Sequence, residues 1–131
     1  MARILVVDDD EHFRTMLRMT LERAGYEVLE ADDGDSALER FHTEAPDLVI
    51  TDIVMPRKEG LEFIMELHEE FPSAHIIAIS GGGRANPYSY LSMAKGLGAE
   101  CVFVKPLDRE ALLAKVRELV GEPEPSEELT P

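Results

Sequence analysis

Three aspartates in succession, Asp8-Asp9-Asp10, follow the apolar run Ile4-Leu5-Val6-Val7, and Asp52 follows Leu48-Val49-Ile50 after a single Thr51. Ser80 closes a third run, Ile76-Ile77-Ala78-Ile79, and Lys105-Pro106 closes a fourth, Val102-Phe103-Val104. Short continuous apolar runs are what strands covered on both faces require, so each of these polar residues stands at the C-terminal end of a strand. If the first, third, fourth and fifth strands adjoin, Asp8, Asp9 and Asp52 converge, and three anions so placed need a cation. A hard divalent ion suits them. Magnesium takes a few carboxylates with waters and a phosphate oxygen, and nothing in the set offers the nitrogen or sulfur donors that favour zinc. The Ser80 hydroxyl and the Lys105 ammonium can each contact an oxygen of a phosphoryl group, which suits the set to stabilising charge on a phosphoryl in transfer.

The elements that must position these residues alternate without a break. Phe13, Met16, Leu17, Thr20, Leu21 and Ala24 recur at helical spacing, with Gly25 as a left-handed cap before a strand over Tyr26–Ala31. Asp10 and Glu11 fit the start of that helix, as an N-cap and a dipole-friendly acid. Ala37, Leu38, Phe41 and Ala45 mark a second helical face, which Pro46 separates from the next strand. Leu61, Ile64, Leu67 and Phe71 mark a third helix, ended by Pro72. A glycine-rich loop leads to a weaker helix around Tyr90–Leu97, and Leu112, Val116, Leu119 and Val120 mark the last. Five strands alternating with five helices predict right-handed crossovers onto a parallel sheet with helices on both faces, a doubly wound α/β fold. In such sheets the ligand crevice lies beyond the strand C-termini, where the residues above fall.

Composition narrows the classes. The 131 residues suit one domain, and 27 acids against 13 bases give a net charge of -14, a field that opposes any phosphate backbone; no nucleic-acid partner is expected. The single Cys101 excludes a disulfide framework within one chain and reads as packing in a reducing setting. No apolar run nears a membrane span, and Met1-Ala2-Arg3 leads directly into a strand with no signal peptide. A soluble cytoplasmic protein is expected, with no membrane partner. From Gly121 the chain holds three of its eight prolines, four acids and no base. The expected division is therefore a domain over 1–120 and an acidic, Pro-rich, disordered tail over 121–131.

Asp8-Asp9, Asp52 with Met55-Pro56 and Gly60, Ser80, and Lys105-Pro106 together resemble the signature of bacterial two-component response-regulator receiver domains, over residues 3 to about 120. The resemblance implies a flavodoxin-like (βα)5 fold with strand order 2-1-3-4-5. It implies that Asp52 is the phosphoacceptor, taking its phosphoryl group from a histidine kinase or histidine phosphotransfer protein. Asp9, Asp52 and the Val54 carbonyl would ligate Mg2+, with Asp8 supporting the metal largely through water. Ser80 and Lys105 would hold the phosphoryl oxygens, and the Lys105–Pro106 peptide would be cis. The expected function is that of a phosphorelay signalling protein whose phosphorylation alters binding of a downstream protein, through the face formed by the fourth helix, fifth strand and fifth helix. The chain would be a stand-alone receiver, catalysing only its own phosphorylation and dephosphorylation.

The sequence also departs from the pattern. Three residues before the lysine, where the family usually has Tyr or Phe, stands Val102; Phe103 follows it, and strand alternation puts that ring on the opposite face. The run Gly81-Gly82-Gly83-Arg84 lacks the ending of a nucleotide-binding loop and reads as a mobile connection. Activation is accordingly expected to order residues 81–90, with Arg84, Tyr88 and Tyr90 presented differently to a partner. His12, His42, His68 and His75 share no face and are expected at the solvated surface; Met16, Met19, Met65 and Met93 read as core or helix-face filling. Two alternatives stand beside the leading reading. Asp8 and Asp10 form the Asp-x-Asp of haloacid-dehalogenase-like phosphatases, a reading that leaves Asp52 idle and lacks the late acid pair and cap domain of those enzymes. The other is a receiver-like binding module that is never phosphorylated.

Overall fold

The computed structural model of the chain describes residues 2–53, 60–80 and 94–122. The expected apolar runs form strands β1 (Arg3–Val7), β2 (Glu27–Ala31), β3 (Leu48–Asp52), β4 (His75–Ser80) and β5 (Cys101–Val104). Between them lie α1 (Glu11–Arg23), α2 (Gly34–Glu44), α3 (Gly60–Glu70), the helical residues 94–97 (α4) and, after β5, α5 (Arg109–Val120). The strands pair in parallel in the order β2-β1-β3-β4-β5. This is the doubly wound flavodoxin-like arrangement implied by the sequence, and its order reverses between β1 and β3.

Strand alternation divides the core in two. Leu5, Val7, Val49, Ile76 and Ala78 face α2 and α3 with Phe41, Phe63, Ile64 and Leu67, joined by Ala94 of α4. Ile4, Val6, Ile50, Ile77 and Ile79 face α1 and α5, where Leu17, Leu21, Leu112 and Val116 complete the second layer. Burying one such large side chain contributes about 1.5–3 kcal/mol, so both layers hold the sheet edge to edge. Val102 packs in the first layer and Phe103 in the second, the opposition expected from their spacing.

Helix starts are fixed by side chains. The Asp10 carboxylate accepts from the His12 and Phe13 N–H groups at 3.0 and 3.3 Å, Asp33 from Ser36 N–H at 2.8 Å, and Asp108 from Ala111 N–H at 3.1 Å, each cap stabilising by about 1 kcal/mol. Gly25 has φ 103°, as its capping role requires, whereas α2 ends on Ala45 at φ 45°. Ala45 was expected on the buried helical face. It lies one residue past the helix and is exposed, because Pro46 disfavours helical backbone in the residue before it.

Other side chains depart from expectation. Met19 and Met65 are 40% and 41% exposed rather than packed. Helical spacing alone does not say how wide the buried stripe is. His42 is half-exposed but joins α2 to α3, with Nε2 2.9 Å from Glu70 and its ring edge-on to Phe71. His75 Nδ1 similarly reaches Glu100 at 2.9 Å. Cys101 is half-buried within the second core layer, as expected for a packing residue. Val54, Met55, Pro56, the 81–90 loop with Arg84, Tyr88 and Tyr90, Met93, and the tail from 123 onward lie outside the described residues. Among the described residues no helix is long and apolar enough to cross a membrane.

Candidate phosphoryl and metal site

At the C-terminal edge of the sheet, beside the reversal between β1 and β3, the structure brings the predicted acids together. Asp8 continues the β1 ladder by one residue, its N–H donating to the Ala31 carbonyl at 3.2 Å. Asp52 is the last residue of β3, and Ile53 N–H donates to the Ile79 carbonyl at 3.0 Å, so the backbone on both sides of Asp52 stays in the sheet. One carboxylate oxygen from each of Asp8, Asp9 and Asp52 lies within 4.8 Å of the other two. Asp8 and Asp52 are buried and Asp9 is exposed.

Lys105 follows β5 through a backbone bond from its N–H to the Ser80 carbonyl at 2.9 Å, and its peptide to Pro106 is cis. Its ammonium stands 3.2 Å from Asp8 Oδ2, 3.6 Å from Asp52 Oδ2 and 3.9 Å from the centre of the Phe13 ring. Ser80 ends β4 and is buried. The other Asp8 oxygen accepts from Asp10 N–H at 2.8 Å. Burial pushes the Asp8 carboxyl above its ordinary range and the Asp9 charge adds to this, while the Asp10 N–H and the Lys105 ammonium oppose it. The Asp10 N–H and the Lys105 ammonium thus compensate only part of the burial of this anion.

The donor set fits a hard cation. Three carboxylates supply oxygen only, and they lie within 4.8 Å of one another, so small side-chain shifts would bring them to the separations of at most about 4.2 Å that oxygens at about 2.0–2.1 Å from one ion require. Asp8, Asp9, Asp52, Ser80 and Lys105 all fall at this edge; Val54, the fourth implied ligand, is outside the described residues. Sequence reasoning missed two contributors on the first turn of α1. Phe13 was read only as helix face, and Arg14 was not singled out, although its Nη1 donates to the Asp8 carbonyl at 2.7 Å. The available signal was position: a residue one helical turn past a strand-end acid returns beside it.

A parallel doubly wound sheet that gathers Asp52 with Asp8, Asp9 and the Lys105 ammonium at its reversal point gives Asp52 a place that a phosphatase built on Asp8 would leave idle. Residues 4–117 match the response regulator receiver domain family, and the chain belongs to it. It is 32% identical over 130 residues to the alkaline phosphatase synthesis transcriptional regulatory protein PhoP of Bacillus subtilis, a match covering 97% of this chain and 53% of that protein. It is 39% identical over 117 residues to the CAI-1 autoinducer sensor kinase/phosphatase CqsS of Vibrio cholerae, covering 87% of this chain and 17% of the kinase. The chain therefore spans about half, or less, of the length of these relatives. Among solved structures, a response regulator receiver domain protein from Clostridium thermocellum superposes with TM-score 0.85 at 28% identity, over 92% of this chain and 94% of that one. The chemotaxis response regulator CheY4 of Vibrio cholerae gives 0.80 at 32% identity, over 92% and 99%.

Proposed function

We propose that this chain is a phosphoacceptor of a cytoplasmic two-component relay, taking a phosphoryl group onto Asp52 from a phosphohistidine of a histidine kinase or histidine phosphotransfer protein. The observation that carries this reading is the meeting of the Asp8, Asp9 and Asp52 oxygens within 4.8 Å, with the Lys105 ammonium 3.2 and 3.6 Å from two of them. An Asp52 carboxylate oxygen attacks phosphorus and forms an O–P bond; the P–N bond breaks, and its electron pair stays on the imidazole nitrogen. Asp9, Asp52 and the Val54 carbonyl would hold Mg2+, with Asp8 behind it, and the ion would neutralise charge building on the phosphoryl oxygens. The Lys105 ammonium exchanges a carboxylate for a phosphoryl oxygen, and the Ser80 hydroxyl donates to another. Water attack on phosphorus later regenerates the Asp52 carboxylate and inorganic phosphate, so the chain acts only on its own phosphoryl group.

The receiver unit runs over 1–120, a boundary supported by α5 ending at Val120. Output passes to a protein through the α4-β5-α5 face, where β5 is a sheet edge with Val104 36% exposed. Nucleic acid is not contacted by this unit, given the chain's net charge of -14. The test is intact mass after incubation with acetyl phosphate. One added phosphoryl group with magnesium, and none with chelator, is the expected result; no adduct in either condition overturns the proposal.

A further inference from the structure

The two peptide units flanking Asp9 are each pinned by a side chain. On one side the Asp8 carbonyl accepts from Arg14 Nη1 at 2.7 Å, and on the other the Asp10 N–H donates to Asp8 Oδ1 at 2.8 Å. Planar peptides held at both ends leave the Cα of Asp9, and the direction of its side chain, little freedom. This matters for Asp9 in particular. Of the three acids in the cluster it is the exposed one, so packing does not direct its carboxylate.

Arg14 is itself oriented. Its Nε donates to Glu30 Oε1 at 3.0 Å, and the other Glu30 oxygen accepts from Arg18 Nη1 at 3.0 Å. The Arg14 and Glu30 side chains are only 16% and 28% exposed, so the fork is held away from bulk water. A guanidinium can bond a carboxylate and a carbonyl along two fixed directions at once, which an ammonium on a flexible stem does not reproduce. Glu30 lies in β2 opposite Val6, so the clamp also ties the end of β1 to its neighbour and to α1.

We propose that Arg14, oriented by Glu30, is a positioning residue that fixes the Asp8–Asp9 peptide and thereby holds the Asp9 carboxylate in the cation-binding set. The inference rests on the metal and phosphoacceptor reading above. A clamp that merely staples α1 to β2 would change stability and leave the metal affinity of the folded protein unaltered.

The experiment is a calorimetric titration of Mg2+ into the full metal-free chain at a temperature where all variants are folded. Arg14→Gln weakens binding about ten-fold, the size typical of groups that orient metal ligands. In an Asp9→Ala background the same change has less than a two-fold effect, because the residue it positions is gone. In phosphorylation by acetyl phosphate, the half-saturating magnesium concentration rises by the same factor, while the rate at saturating magnesium stays within two-fold of wild type. Glu30→Gln keeps the size of the side chain and weakens binding in the same direction by a smaller factor; it carries the comparison if Arg14→Gln does not fold. Unchanged affinity in these variants overturns the inference, as does an equal loss in the Asp9→Ala background. A wild-type chain that takes up no magnesium instead overturns the reading beneath it, and that result is seen before any variant is compared.

Discussion

Replacing Lys105 with Met removes the ammonium while keeping much of the apolar stem. At 3.2 and 3.6 Å, and an effective dielectric near 20, its attractions to Asp8 and Asp52 are each roughly 5 kcal/mol. Most of this offsets the desolvation of the ions. What the substitution exposes is the cost of leaving a buried Asp8 beside Asp9 without that ammonium, about 3–5 kcal/mol for a fully enclosed pair. The Lys105 side chain is 20% exposed, so solvent screens part of it, and the expected loss for the metal-free protein at neutral pH is about 2–3 kcal/mol. Urea unfolding in chelator measures it as a lower midpoint at unchanged slope. The pH dependence has a definite sign. Lys105 lowers the Asp8 pKa, so its removal raises that pKa further above the unfolded value of 3.8. The variant's penalty is then present at neutral pH and fades as pH falls through the raised folded values, below which Asp8 is protonated in both folded proteins. Magnesium narrows the gap by supplying the missing charge. Equal stability at every pH, or a gap that widens on acidification, refutes the reasoning.

Asp8→Asn is expected to stabilise the metal-free protein at neutral pH, because the folded state already disfavours the charged carboxyl; the gain disappears as pH falls toward 3.8, and paired unfolding curves check it. Gly98→Ala is expected to cost about 1–3 kcal/mol in the same assay, since φ is +133° and a Cβ would lie 2.8 Å from His68 Cγ. Adding His68→Ala should recover only the steric share. Tyr26→Phe, which removes a 2.9 Å bond to the Gly121 carbonyl, should lower stability by about 0.5–1.5 kcal/mol and increase hydrogen exchange at the end of α5.

Much of the fold was legible because a parallel sheet buries both faces of its strands. Runs such as Leu48-Val49-Ile50 and Ile76–Ile79 announce themselves without any partner being known, and the polar residues that end them mark the sheet's functional edge. The opposed packing of Val102 and Phe103 followed from period two alone. Other features depend on distant parts of the chain. Arg14 and Glu30 lie 16 residues apart and meet only because β2 returns beside β1. His42 meets Glu70 and Phe71 only once α2 and α3 pack together. The exposure of Met19 and Met65 reflects the width of the buried stripe, which spacing does not encode. Ala45 adopts a left-handed conformation imposed by Pro46, at a position where composition alone suggests one more buried turn.

The central claim is that a phosphoryl group is carried on Asp52 and on no other residue of the cluster. Acyl phosphates are reduced by borohydride, which converts a phosphorylated aspartate to homoserine and leaves free aspartates intact. After incubation with acetyl phosphate and magnesium, reduction and peptide mass mapping should give homoserine at position 52 alone, and Asp52→Asn should give none while retaining the wild-type fold. Homoserine at position 8 or 9, or an adduct of equal yield in Asp52→Asn, would contradict the account.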